Sequence, residues 1–254
     1  MLSYQHSYHA GNPADLHKHM VLAELLTLLT RKQRGISYLE THAGRGLYDL
    51  TSPESLKTNE AAEGINAITL PTCPLASVLE TIHAKHGPDA YPGSPLIART
   101  LLRDQDRLHL MELHPIEYRG LRQHLMGDGV SLHKRDGYEG VFAVSPPTPR
   151  KGLVLIDPSY EIKSEYLDVA DFTHRLVAKW PEATLMIWYP VLPAGRHLDL
   201  INGLKLPTIR HEVSFNLKNG EGMTGSGLIL VNAPYGTKDI LKKVETQTKP
   251  ILTR

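Results

Sequence analysis

Gly152-Leu-Val-Leu-Ile156 is an unbroken apolar run that stops at Asp157-Pro158-Ser159-Tyr160. A short run apolar at every position reads as a strand buried on both faces, which is the habit of parallel strands covered by helices. The acid then sits where such a strand stops, at the sheet edge where open α/β folds bind ligands. An acid, a rigid proline and an aromatic at this edge suit chemistry on the exocyclic amine of a base. The Asp157 carboxylate and the Pro158 carbonyl both accept amine hydrogens, and Tyr160 offers a ring to stack on. Asp-Pro is also common turn chemistry, so these four residues alone leave both readings open.

The rest of the chain alternates in the same sense. Asn12-Pro13 with Asp15 predicts a helix start, and Leu16, Met20, Leu22, Ala23, Leu26 and Leu29 continue at helical spacing to about Lys32, before Gly35. A first strand over Ile36–Thr41 runs into the glycine turn Ala43-Gly44-Arg45-Gly46. From Tyr91 onward, helices over 96–102, 115–125 and 165–179 alternate with strands over 107–113, 130–134, 153–157 and 184–189. At the end, 208–217 and 227–231 read as an antiparallel hairpin joined by a glycine-rich loop over 219–226. Residues 49–91 break the rhythm: Pro53, Pro71, Pro74 and Pro88 punctuate short helical pieces over 61–68 and 75–86. The expectation is a doubly wound α/β domain formed by 1–48 and 92–254, with 49–91 as a small helical insertion. A terminal hairpin on such a sheet is the shape of S-adenosylmethionine-dependent methyltransferases.

Composition narrows the partners. The chain has 254 residues, 41% hydrophobic and 22% charged, and a formal net charge of +1. That is enough to bury a full core, and it leaves nucleic-acid binding to local patches rather than to overall charge. With Cys73 as the single cysteine, a disulfide framework is impossible and a reducing cytoplasm fits. The first residues lack a signal-peptide pattern, and no apolar run reaches the ~18 residues of a membrane span.

Several positions stand out as candidate ligands, each beside a plainer reading. Thr41-His-Ala-Gly-Arg-Gly46 follows the first strand, where a glycine turn lets backbone approach a ligand. It lacks the G-x-G-x-x-G spacing of a nicotinamide site. Glu112 ends the strand 107–113, where a carboxylate with two acceptor oxygens takes a pair of ribose hydroxyls; a surface acid is the alternative. Asp136-Gly137 combines an acceptor for an amino group with room for close approach, or is simply a turn. His6, His9, His17, His19 and His42 do not make a metal site, because His17 and His19 point to different helix faces and no cysteine is near. One histidine facing a cofactor carboxylate fits better. Gly222-Met-Thr-Gly-Ser-Gly227 lacks the lysine and following helix of a phosphate loop and reads as a hairpin loop covering one side of the site. Trp180 and Trp188 read as core.

Taken together, Leu-Ser-Tyr-Gln-His-Ser-Tyr-His-Ala-Gly-Asn12, Thr41-His-Ala-Gly44, Tyr91-Pro-Gly-Ser-Pro-Leu-Ile-Ala98, Glu112-Leu-His-Pro115, Ile156-Asp-Pro158 and Gly222-Met-Thr224 resemble the RlmJ-type family, which methylates the N6 amine of an adenine in 23S rRNA. The likeness runs from Met1 to about residue 235. It implies a Rossmann-like methyltransferase domain with a small helical insertion, S-adenosylmethionine as cofactor and 23S rRNA as partner. Apart from the likeness, the expectation is a cytoplasmic monomer without metal. By position it implies that His19, His42, Ser94, Glu112, Asp136 and Gly137 hold the cofactor. It likewise makes Asp157 the catalytic acid, acting with Pro158 and Tyr160, and Tyr4 a substrate contact. The family's motif reads Asp-Pro-Pro-Tyr; here Ser159 replaces the second proline, which restores a backbone donor. A DNA adenine methyltransferase with the same site chemistry, or a non-catalytic nucleic-acid-binding protein tied to the use of external DNA, are the rival expectations.

Overall fold

A computed structural model describes residues 5–215, 222–249 and 251–252. The helix α1 (Pro13–Thr30) opens as its sequence predicts: the Asn12 side chain accepts from the Asp15 amide and Pro13 takes the first position. It stops at Thr30, short of Lys32. The Arg103 guanidinium takes the carbonyls of Thr30, Lys32 and Arg34, which turns the chain there. After β1 (Ser37–Glu40) and a glycine turn, β2 (Leu47–Asp49) leads to α2 (Pro53–Thr58) and α3 (Pro74–His86), and β3 (Ala90–Pro92) returns antiparallel to β2. Two short 3₁₀ turns, Glu60–Ala62 and Ile65–Ala67, stand where a helix over 61–68 was expected. There Glu60 holds His9 and Asn12, and the Ile65 amide donates to the Gly11 carbonyl, so the segment is tied to the N-terminal turn.

Alternation follows through α4 (Ser94–Leu101), β4 (Arg107–Met111), α5 (Pro115–His124), β5 (Val130–His133), α6 (Gly137–Val144), β6 (Gly152–Ile156), α7 (Glu165–Lys179) and β7 (Ala183–Val191). The chain then forms α8 (His197–Gly203), the hairpin strands β8 (Thr208–Ser214) and β9 (Gly225–Val231), and α9 (Thr237–Thr248). The sequence reading did not anticipate α6, α8 or α9. It placed the second hairpin strand at Gly227, whereas pairing with β7 already begins at Gly225.

Seven strands form one sheet in the order β5-β4-β1-β6-β7-β9-β8. Only β9 runs against its neighbours. β1 pairs in parallel with both β4 and β6, so the winding direction reverses there. Glu40 is in register with Leu110 on one side and Leu155 on the other. Thr41, Glu112 and Asp157 therefore emerge close together at one sheet edge. β6 is buried at every position: Leu153 and Leu155 face the cluster built by α1, α3, α4 and α9, while Val154 and Ile156 face the cluster built by α6, α7 and α8. This is the Rossmann-like methyltransferase fold with its antiparallel terminal hairpin. Among the described residues no helix is long and apolar enough to cross a membrane.

Candidate active site

A cavity of about 500 Å³ opens at the C-terminal edge of the sheet. All the expected site residues that the structure describes line it: His19, His42, Ser94, Glu112, Asp136, Gly137, Asp157, Pro158 and Tyr160. Tyr4, the expected substrate contact, lies outside the described residues.

One half of the cavity is a backbone wall. Glu112 is pinned by two amides, Gly44 N–H donating to Oε2 at 2.8 Å and His114 N–H to Oε1 at 2.7 Å. Burial pushes its carboxyl up from the ordinary range, against the pull of those two bonds. Gly44 has φ +64, and a Cβ there would stand 2.5 Å from the Tyr48 hydroxyl. Gly137 opens α6 so close to β1 that a Cβ would stand 1.9 Å from the Thr41 carbonyl. Asp136 caps that helix by accepting from the Glu139 amide, which is why the Asp-Gly pair starts a helix instead of a turn. Two imidazoles complete this half. Burial pushes His19 down to about 3 and His42 down to about 4, so each is neutral with a single N–H. His19 Nδ1 lies 2.9 Å from the Tyr91 hydroxyl, and His42 Nδ1 lies 2.9 Å from Thr41 Oγ1.

The other half surrounds Asp157. Lys18 donates to Asp157 Oδ2 at 2.6 Å and lies 3.0 Å from Asp15 Oδ1. Asp157 Oδ1 and the Pro158 carbonyl accept no hydrogen bond from any described residue. Tyr160 has φ +54; its ring stacks on Tyr166 at 4.4 Å and its hydroxyl donates to the Trp188 carbonyl at 2.7 Å. The Tyr160 ring is thus fixed from two sides. Ser159 lines the cavity with neither its N–H nor its hydroxyl bonded to a described residue.

Sequence reasoning missed Asp15, Lys18, Glu40 and Trp188. The first two belong to α1, which is buried on all sides from Pro13 to Leu26, so its polar residues point into the molecule. Burial would raise the Asp15 carboxyl, but the charges of His6 and Lys18 outweigh it and hold the group well below the usual range. Trp188, read from sequence as core, is only partly buried and lines the cavity, whereas Trp180 is core, its indole N–H donating to the Arg150 carbonyl. Met223 lines the cavity, residues 225–227 of the expected covering loop are strand β9, and residues 216–221 lie outside the described residues. No group of three His, Cys, Asp or Glu that could hold a metal occurs among the described residues.

The family described as "Ribosomal RNA large subunit methyltransferase D, RlmJ" matches residues 33–253. A Haemophilus influenzae protein named ribosomal RNA large subunit methyltransferase J is 40% identical over 265 residues, covering 99% of this chain and 92% of its own. The Escherichia coli protein of the same name is 38% identical over 256 residues, covering 96% and 91%. The crystal structure of a Legionella pneumophila protein superposes with a TM-score of 0.85 at 36% identity, covering 96% of both chains. The chain that builds this cavity thus belongs to the RlmJ family of large-subunit ribosomal RNA methyltransferases.

Proposed function

We propose that this protein methylates the N6 amine of an adenine in 23S rRNA with S-adenosylmethionine. The observation that carries the amine chemistry is that Asp157 and Pro158 both line the cavity while Asp157 Oδ1 and the Pro158 carbonyl accept no hydrogen bond from any described residue. Family membership supports ribosomal RNA over the DNA and non-catalytic alternatives.

The residues present fit a nucleoside cofactor. The cavity is of ligand size, Glu112 is held rigidly with lone pairs to spare for ribose hydroxyls, and Gly44 and Gly137 line the cavity with bare backbone, packed too tightly on Tyr48 and Thr41 for a Cβ. Ser94, Asp136 and the neutral His19 and His42 are the remaining holders. When bound, the cofactor supplies a methyl group already activated by its sulfonium.

The protein's own work is alignment and charge placement. The adenine amine is a poor nucleophile because its lone pair is delocalised into the ring. Asp157 Oδ1 and the Pro158 carbonyl accept one amine hydrogen each, which frees the lone pair to turn away from the ring. Lys18 occupies Oδ2, so it selects which carboxylate oxygen meets the base and fixes the carboxylate plane. The proton given up by N6 passes to Oδ1. The base leaves its stack to reach this site, and Tyr160, already immobilised, receives it together with Tyr4.

Transfer of labelled methyl to protein-free 23S rRNA tests the reading, with duplex DNA as the comparison. Label on an rRNA adenine should fall by about 10²–10⁴ in the Asp157→Ala variant, while that variant still binds the cofactor. Label on DNA alone would favour a DNA enzyme, and label on neither would overturn the activity.

A further inference from the structure

Beside the Asp157 pocket lies a second line of buried polar groups that the methyl-transfer chemistry does not use. It starts at Trp188, whose indole N–H donates to Ser226 Oγ at 2.9 Å. His17 Nδ1 lies 2.9 Å from the same oxygen, and His17 Nε2 lies 2.9 Å from His211 Nδ1. His211 Nε2 is 3.8 Å from the Glu245 carboxylate on α9. His17, Ser226 and His211 are all buried, on α1, β9 and β8 respectively.

An indole N–H only donates, so Ser226 Oγ accepts from Trp188. Burial, with His211 beside it, holds His17 well below its ordinary pKa, so the ring is neutral, with one nitrogen that donates and one that accepts. Its two nitrogens meet Ser226 Oγ on β9 and His211 Nδ1 on β8, so the ring ties the Trp188 bond to both hairpin strands.

The indole at the head of the line touches the catalytic groups. The Lys18 ammonium, which holds Asp157 Oδ2, lies 5.5 Å from the Trp188 ring centroid, and an aromatic face attracts a cation at that range. The Tyr160 ring is 6.1 Å from Trp188.

We infer that Ser226, His17 and His211 are positioning residues that lock the Trp188 indole, and through it the Lys18–Asp157 pair. The inference rests on Asp157 being the acid of the reaction. It adds residues from α1 and the terminal hairpin to the determinants of turnover, although none of the three lines the cavity.

The test uses the full chain with two changes: Ser226→Ala, and the double variant His17→Leu with His211→Leu. Three quantities are read in each: kcat and KM for methyl transfer to 23S rRNA, cofactor affinity by calorimetry, and the indole ¹H–¹⁵N resonance of Trp188, assigned with Trp180→Phe. The relay requires the Trp188 resonance to move and kcat to fall about ten- to a hundredfold, with cofactor affinity kept. A core variant away from the line, Val78→Ala on α3, should lower the melting temperature without that fall in kcat. Folded variants with an unmoved resonance and parental kcat would overturn the relay. So would a kcat loss no larger than Val78→Ala shows at equal melting temperature. The resonance needs no turnover, so an inactive wild-type protein would sink the activity reading while the unmoved or moved indole still decides the relay.

Discussion

Asp157 lines the cavity with one oxygen held by Lys18 and the other bonded to no described residue, and this asymmetry makes a residue-scale prediction. Lys18 is itself buried, bridging Asp15 and Asp157, so its loss leaves two carboxylates close together without their shared cation. Lys18→Met should lower kcat by about 10² by misplacing Oδ1, with little change in cofactor affinity. Single-turnover methyl transfer and calorimetry separate the two, and equal losses in both would mean that Lys18 serves binding instead. Ser159 makes the opposite case. Neither of its polar groups is bonded to a described residue, so Ser159→Pro, which restores the family motif, breaks no hydrogen bond of the described residues. It should change stability by less than about 1 kcal/mol and leave kcat near the parent value. A large gain in kcat would show that the serine slackens the turn that presents the Pro158 carbonyl.

The elements that were legible in the sequence are those whose local pattern and tertiary surroundings agree. β6 is apolar at each position because a helical layer covers each face, and the Asn12–Pro13 cap is a local hydrogen bond that needs no partner from elsewhere. Other features depend on distant packing. The apolar spacing of α1 suggests one wet face, yet α3, α4, α9 and the sheet enclose it, so Asp15 and Lys18 line the cavity with no local sign of it in the sequence. The stretch over 237–248 looks polar, and only Ile240, Leu241 and Val244 meet the core, through α9 packed on α1. Asp136-Gly137 reads as a turn until α6 follows. That junction supports a prediction for the element: Gly137→Ala would place a methyl 1.9 Å from the Thr41 carbonyl, which is backbone and cannot swing aside. The start of α6 must then move off β1, at a cost of about 1–3 kcal/mol, taking Asp136 out of the cavity. Chemical denaturation and cofactor titration should both report the change, and a variant with parental values in both would show that the two backbones are not in firm contact.

Across the whole molecule the site draws on groups from nearly the full length of the described chain, so the stability of the fold carries the signature of groups buried beneath it. Glu40 ends β1 fully buried, with the Tyr38 hydroxyl donating to its carboxyl. Burial pushes its pKa up from 4.5 to about 8, and the bonds from Tyr38 offset only part of that. The native state thus keeps a proton that the unfolded chain releases above pH 4.5. Where the unfolded chain binds fewer protons, stability falls as pH rises, so Glu40 lowers stability progressively from pH 4.5 to about 8 and adds no further slope beyond. The buried histidines act with the opposite sign. His19 and His42 stay neutral down to about 3 and about 4, whereas their unfolded forms take up protons below 6.5, so their contribution is complete above 6.5 and is lost as pH falls. Glu40→Gln separates the two effects, because it preserves shape and removes only the ionisation. Urea unfolding at a series of pH values from 5 to 9 should show the variant gaining on the parent steadily up to about pH 8 and by a constant amount above it. Parallel curves across that range would mean that Glu40 is ionised in the native protein, with Lys18 or another cation reaching it.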